Sequence, residues 1–216
     1  KGLDNVTVYQ DSATFVGPKE IQVGDDIITA EQIVIAAGAR AFIPPIPGLD
    51  EVGYHTSDTI MRVDELPKRL AVLGGGYIAT ELGNVFGLLG SEVTFIVRSD
   101  AMLRNEDEAI SAAFTEAYRQ KFGTWFMTDV ASARTDGDDI VLELSPDGEE
   151  LRVDVVLVAT GRVPNGDQLR LAEYGYEMDD AGYVVTDTYL RTTVDGVFAL
   201  GDVTNPVQLK HVANHE

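Results

Sequence analysis

The residues best suited to chemistry form one short run, Gly74-Gly75-Gly76-Tyr77-Ile78-Ala79. Gly74 permits a tight strand-to-helix turn, Gly76 lets the backbone come close to a diphosphate, and Ala79 is small enough for the helix to lie on its strand. Amide dipoles at the helix start would then face the phosphates. On its own the spacing fits a merely structural glycine turn equally well, so the surrounding elements decide. Val97-Arg98-Ser99 falls where the next strand ends, and an acid there would accept hydrogen bonds from the ribose 2′-hydroxyl of NAD. Arginine stands there instead, with Arg104 a little further on. Guanidinium groups at that edge suit a 2′-phosphate and hence NADPH. The competing reading pairs Arg98 and Arg104 with Asp100, Glu106 or Asp107 on the surface.

Two further segments carry weaker signals, Val158-Ala159-Thr160-Gly161-Arg162-Val163-Pro164-Asn165 and Gly196-Val197-Phe198-Ala199-Leu200-Gly201-Asp202-Val203. Each is a buried strand ending in a glycine turn. Asp202 falls at a strand's C-terminal edge, where it can accept a ligand hydroxyl or simply cap a turn.

The elements that must position these residues are legible from periodicity. Leu70 to Leu73 reads as a strand, Tyr77 to Leu89 as a helix and Glu92 to Val97 as a second strand. Ile78, Leu82, Val85, Phe86 and Leu89 share one stripe of that helix. A second helix is expected from Glu106 to Lys121, its early acids at the positive end of the helix dipole. Strands follow near 124–130, 140–144 and 153–159, with Ser145-Pro146-Asp147-Gly148 turning between antiparallel partners. Upstream, Val6-Thr7-Val8-Tyr9 reads as a strand, and Glu20–Val23 and Ile27–Thr29 as a hairpin about Gly24-Asp25-Asp26. Gln32 to Ala37 reads as a strand covered on both faces. The crossing Pro44-Pro45-Ile46-Pro47-Gly48 can continue neither ladder nor helix, so a domain boundary is expected close to it.

Bulk composition narrows the function. With 216 residues, 44% of them hydrophobic, the chain can bury a core of its own. A net charge of −20 excludes nucleic-acid partners, because no basic face is left to release counterions. No apolar run is long enough to cross a bilayer, and Lys1-Gly2 opens onto a strand-like stretch without a leader, so neither membrane nor export is expected. With no cysteine there is no disulfide, thiolate metal site or thiol chemistry. His55, His211 and His215 lack partners at metal-binding spacing, so no metal is expected.

Taken in order along the whole chain, these motifs resemble the pyridine nucleotide disulfide oxidoreductases, the glutathione reductase-like flavoproteins. Among them, His55-Thr56-Ser57-Asp58-Thr59, Ala159 to Val163, Phe198 to Val203 and Leu209 to Glu216 look most like the mycothione-reducing branch. The resemblance implies an α/β fold: a Rossmann-like NADPH domain, with a parallel sheet, helices and an antiparallel β-meander, over residues 50–165. It is inserted between parts of an FAD domain of the same type, 1–49 and 166–216. It implies that Gly74, Gly76, Tyr77, Ile78 and Glu81 line the NADPH pocket, with Tyr77 over the flavin and Glu81 paired to a lysine outside this chain. Arg98 and Arg104 would hold the 2′-phosphate and Gly161 would close the nicotinamide side. For FAD it implies Ala13 near the adenine, Ala37 and Gly38 at a strand end, Asp202 on a ribityl hydroxyl, and Lys210, His211 and Val212 opening a helix towards the ring.

The chain departs from the family pattern at both ends. A first glycine motif for FAD, the redox cysteine pair and a C-terminal interface domain with a His-Glu acid–base pair are missing from it, so no catalytic dithiol is present and His215-Glu216 is not that pair. The expectation is a fragment that binds NADPH weakly, holds no FAD and has no reductase turnover. The intact protein would be a cytoplasmic homodimer passing hydride from NADPH to FAD, then to a dithiol and a small disulfide, mycothione. Two alternatives stay open: a relative of NADH oxidase or ferredoxin reductase type, and a stand-alone non-catalytic NADPH-binding module.

Overall fold

The computed structural model describes residues 4–216, so the opening Lys1-Gly2 lies outside them. Contacts divide the chain into two compact units, one of residues up to Arg40 together with Arg162–Glu216, the other the continuous segment Ala41–Gly161. In the first unit, Val6 to Tyr9 forms no strand. Val8 is 72% exposed, and without a ladder partner or a core beneath it alternation alone does not fix a strand. The strand begins later, at β1 (Ala13–Gly17), where Phe15 is buried edge-on against Tyr176 with ring centres 5.3 Å apart. β1 pairs antiparallel with β2 (Glu20–Val23), which turns through left-handed Gly24 into β3 (Asp26–Thr29), so Asp26 joins the ladder instead of the turn. Next comes β4 (Ile33–Ile35). Ile33 and Ile35 are buried but Val34 is 60% exposed, so this strand has one covered face among the described residues, not the expected two. β5 (Ala39–Ala41) follows.

The second unit contains a short helix α1 (Leu49–Val52), β6 (Arg69–Leu73), α2 (Tyr77–Leu89), β7 (Glu92–Val97), α3 (Glu108–Lys121) and β8 (Gly123–Phe126). The meander β9 (Asp129–Asp136), β10 (Asp139–Ser145) and β11 (Glu150–Val153) precedes β12 (Val155–Val158). Strands β12, β6, β7 and β8 form a four-stranded parallel sheet in that order, and β11-β10-β9 an antiparallel one. Period-two alternation serves both faces of the parallel sheet. Leu70, Val72, Phe95 and Leu157 pack with Ala79, Phe86 and Tyr118 of the helices. Ala71, Leu73, Ile96 and Val156 pack with Val130, Leu142 and Leu144 of the meander. The crossing at 44–48, near which a boundary is expected, lies within this unit: left-handed Gly48 abuts the Ala133 carbonyl, which a Cβ would approach to 2.0 Å.

Arg69, at the start of β6, is held by two carboxylates. Its backbone N–H and its guanidinium donate to Asp154, and Nη2 also lies 2.7 Å from Asp139. The Arg69 hydrogen bonds hold the Asp154 carboxyl below its usual range. A lowered folded-state pKa contributes stability that is present above the unfolded value and is lost as pH falls through the folded one. Asp154→Asn is therefore expected to lower denaturation midpoints at pH 7, with the gap from wild type closing once pH drops below the ordinary carboxylate range. A gap that is unchanged at pH 2 would remove this role.

The chain returns to the first unit through β13 (Arg162–Pro164), whose sheet partner is β5. β14 (Val197–Ala199) lies parallel to β4, Val197 opposite Ile33 and Ala199 opposite Ile35, over a core of Phe15, Leu171, Tyr176, Val184 and Val203. Two 3-10 turns, at Leu171–Tyr174 and Gly201–Val203, and the six-residue α4 (Lys210–His215) complete the unit.

Candidate functional site

In the second unit, the turn between β6 and α2 brings its three glycines into different surroundings. Gly74, at φ 126, passes so close to the end of β12 that a Cβ would lie 2.3 Å from the Ala159 carbonyl oxygen. At Gly75 a Cβ would meet Val97 and Met102 side chains. Gly76 has nothing within 4 Å of a notional Cβ, and as N-cap of α2 it offers no side-chain cap. The thirteen-residue helix thus starts with no side-chain cap, next to a glycine whose notional Cβ would meet nothing. An anion is the natural partner for that arrangement. Tyr77 is 40% exposed at the same corner, Ile78 is half-buried and Glu81, one turn on, is exposed. Gly161, at φ 149, likewise has open space where a side chain would be, and follows the Ala159-Thr160 backbone that abuts Gly74.

Arg98 leaves directly from the C-terminal end of β7, and Arg104 lies in the loop between β7 and α3. That loop is tied to the corner, because the Leu103 N–H donates to the Gly75 carbonyl at 2.7 Å. Both arginines are exposed, and among the described residues neither forms an ion pair with Asp100, Glu106, Asp107 or any other carboxylate. Asp107 instead caps α3, accepting from the amides of Ala109 and Ile110. Gly74, Gly76, Tyr77, Ile78, Arg98, Arg104 and Gly161 therefore all belong to the carboxyl-end edge of one parallel sheet, where ligands of such sheets bind.

In the first unit, the carboxyl ends of β4 and β14 open on a depression of about 300 Å³ lined by Ala36, Gly38, Leu200, Gly201, Asp202, Lys210 and Ala213. Gly38, Asp202 and Lys210 are thus brought together. Ala37, His211 and Val212 are neighbours in sequence but do not line it, and Ala13 stands apart at the start of β1. The Ala37 and Gly38 carbonyls are held by Asn165, through its side-chain amide at 2.8 Å and its backbone N–H at 3.0 Å. Arg40 pairs in bidentate fashion with Asp167, the two contacts at 2.9 and 2.7 Å.

Two small residues were not anticipated as part of the corner. A Cβ at Gly83 would lie 2.3 Å from Phe95 Cζ, and one at Gly87 would lie 2.5 Å from a Phe122 ring carbon. Their four-residue spacing puts them on one face of α2, and that spacing is the signal the sequence carried. They let the helix, and with it the amides at its start, sit close to the sheet. Among the described residues no helix is long and apolar enough to cross a membrane, and no three acidic or histidine side chains gather as a metal site.

A parallel sheet whose carboxyl ends meet a glycine corner, an uncapped helix start and exposed guanidinium groups is the arrangement of the α/β proteins in which ligands bind at the strand ends. The chain belongs to the pyridine nucleotide-disulphide oxidoreductase family, which it matches over residues 2–216. It is 42% identical over 220 residues to a mycothione reductase of Mycobacterium tuberculosis, covering 98% of this chain and 47% of that one. It is 39% identical over 208 residues to a mercuric reductase of Staphylococcus aureus, covering 94% and 38%. The HOCl-induced flavoprotein disulfide reductase RclA from Escherichia coli superposes with a TM-score of 0.86 at 30% identity, over 94% of this chain and 47% of that one. The chain spans about half the length, or less, of the curated relatives it matches.

Proposed function

We propose that the Ala41–Gly161 unit binds NADPH and that the other unit supplies part of an FAD site, within a flavoenzyme that reduces a small disulfide. The observation that carries this reading is the exposed, carboxylate-free pair Arg98 and Arg104 on segments joined to the glycine corner. Gly74, Gly76 and the first amides of α2 hold the diphosphate, Arg98 and Arg104 the 2′-phosphate, and Gly161 leaves room on the opposite side. Tyr77 and Ile78 bound the nicotinamide end, with Glu81 beside them. For FAD, Asp202 accepts a ribityl hydroxyl, Gly38 and Ala37 border the strand end, and Ala13, Lys210, His211 and Val212 contribute around it. When bound, NADPH supplies a hydride and FAD the two-electron acceptor, which leaves holding, orienting and excluding water to the protein. Residues 1–216 contain no cysteine, so the dithiol of that reaction is not among them. The 42% identity to a mycothione reductase makes mycothione the substrate to test first, in a cytoplasmic homodimer.

Calorimetric titration with NADPH and NADH tests the site. Wild type is expected to prefer NADPH, and Arg98→Ala to weaken NADPH by roughly 10- to 100-fold, the loss of a charge-assisted hydrogen bond, while leaving NADH nearly unchanged. Equal binding of the two nucleotides by wild type would remove the 2′-phosphate assignment.

A further inference from the structure

We infer that Ser111 and Thr115 of α3 are positioning residues that set the preference for a 2′-phosphorylated nucleotide, by fixing the loop that carries Arg104. The inference rests on the NADPH reading of the glycine corner. Arg98 needs less such help, because it directly follows β7 and its two neighbours are held, the Val97 carbonyl by the Thr128 N–H and the Ser99 carbonyl by the Met127 N–H. Arg104 sits mid-loop, and its long side chain has many rotamers to lose before it can grip a phosphate. What holds that loop is Met102, which is fully buried with its sulfur beside Gly75.

A buried residue must have both backbone polar groups satisfied. The Met102 N–H donates to Thr115 Oγ1 at 2.9 Å, and its carbonyl accepts from Ser111 Oγ at 2.6 Å. The two hydroxyls stand one turn apart on α3, both buried, at 7% and 6% exposure, on a face where apolar side chains would otherwise be expected. Mid-helix hydroxyls usually bond back to their own helix carbonyls, but these two are given to the loop. The next residue, Leu103, is in the left-handed region at φ 50 with its N–H on the Gly75 carbonyl, and its own carbonyl accepts from Glu106. A leucine holds that conformation only where its surroundings over-determine it. Arg104 therefore follows a residue pinned on one side to the glycine corner and, through Met102, on the other to α3.

Removing the hydroxyls leaves the Met102 N–H and carbonyl buried without partners, and the loop relaxes towards water. The amides of Tyr77 and Ile78 belong to α2 and stay in place. The loss therefore falls on the 2′-phosphate and spares the rest of the nucleotide. The test titrates the protein, its Ser111→Ala/Thr115→Val double variant and Thr115→Ser with NADPH and with NADH, each variant first checked by thermal melting. The double variant is expected to lose about 10-fold in NADPH affinity with NADH affinity unchanged, as two orphaned backbone groups allow, and Thr115→Ser to keep the wild-type preference. If the double variant does not melt cooperatively, Ser111→Ala and Thr115→Val are read singly in the same way. An unchanged preference in these variants, or an equal loss for both nucleotides, overturns the positioning role alone. A wild type without any preference overturns the underlying site reading and this inference with it.

Discussion

Gly74→Ala is expected to destabilise the protein by about 3–5 kcal/mol, while Gly76→Ala, two residues away, leaves stability within about 0.5 kcal/mol and instead weakens NADPH. The two glycines share a turn but not a constraint. Gly74 is at φ 126, which L side chains rarely adopt, and its Cβ would lie 2.3 Å from the Ala159 carbonyl oxygen and 2.9 Å from the carbonyl carbon. Those atoms are backbone, continuous with a strand paired to β6 (Val158 opposite Leu73), so neither side can yield without breaking the ladder. Gly76 is at φ −81 with nothing near a notional Cβ, so alanine fits the protein and would intrude only on the proposed nucleotide. Urea denaturation followed by the single tryptophan, Trp125, measures the first effect and nucleotide titration the second. Similar stability losses at both positions would show that the turn, not a ligand, accounts for Gly76.

The second large effect is expected at Phe95, where Phe95→Ala should cost about 3–5 kcal/mol. Phe95 is fully buried on β7 and meets Tyr118 and Phe122 edge-on, each with ring centres 5.4 Å apart. It also fills the gap left by Gly83, whose Cβ would come within 2.3 Å of its Cζ. The ring and the missing side chain are thus two halves of one contact. Gly83→Ala alone should be strongly destabilising, and Gly83→Ala combined with Phe95→Leu should lose less than the sum of the single changes by at least about 1 kcal/mol. Denaturation midpoints of the four proteins give the coupling, and strict additivity would refute the shared contact.

Much of the local structure around the glycine corner was legible because local rules and tertiary context agreed. The helix expected over Tyr77 to Leu89 is found over those residues, bounded by its glycine start and by Gly90, but the expected apolar stripe is not its buried face: Val85 and Leu89 are exposed, and Ala79, Thr80, Gly83 and Phe86 are buried. The second helix begins at Glu108 instead of Glu106 because Asp107 is the cap, a choice among three neighbouring acids that charge pattern alone does not make. Val6 to Tyr9 misled because alternation reports only the possibility of a strand, whereas Phe15 in β1 had a core to enter. Val34 misled differently: an unbroken apolar run does not reveal which of its faces has something to cover it. The Met102 tether was not legible, because a hydroxyl on a helix says nothing of which distant backbone it binds.

The interrupted make-up of the first unit bears on how the molecule comes into being. Ala41–Gly161 is continuous, so its parallel sheet can close as soon as that stretch has emerged from the ribosome. β4 must wait for β14, since Ile33 pairs with Val197, and closure over so long a loop is slow. Until then Phe15, Ile33 and Ile35 stand without Tyr176, Val197 and Ala199. The nascent polypeptide thus carries a finished parallel sheet and glycine corner while the early strands of the other unit still expose the apolar side chains that chaperones recognise.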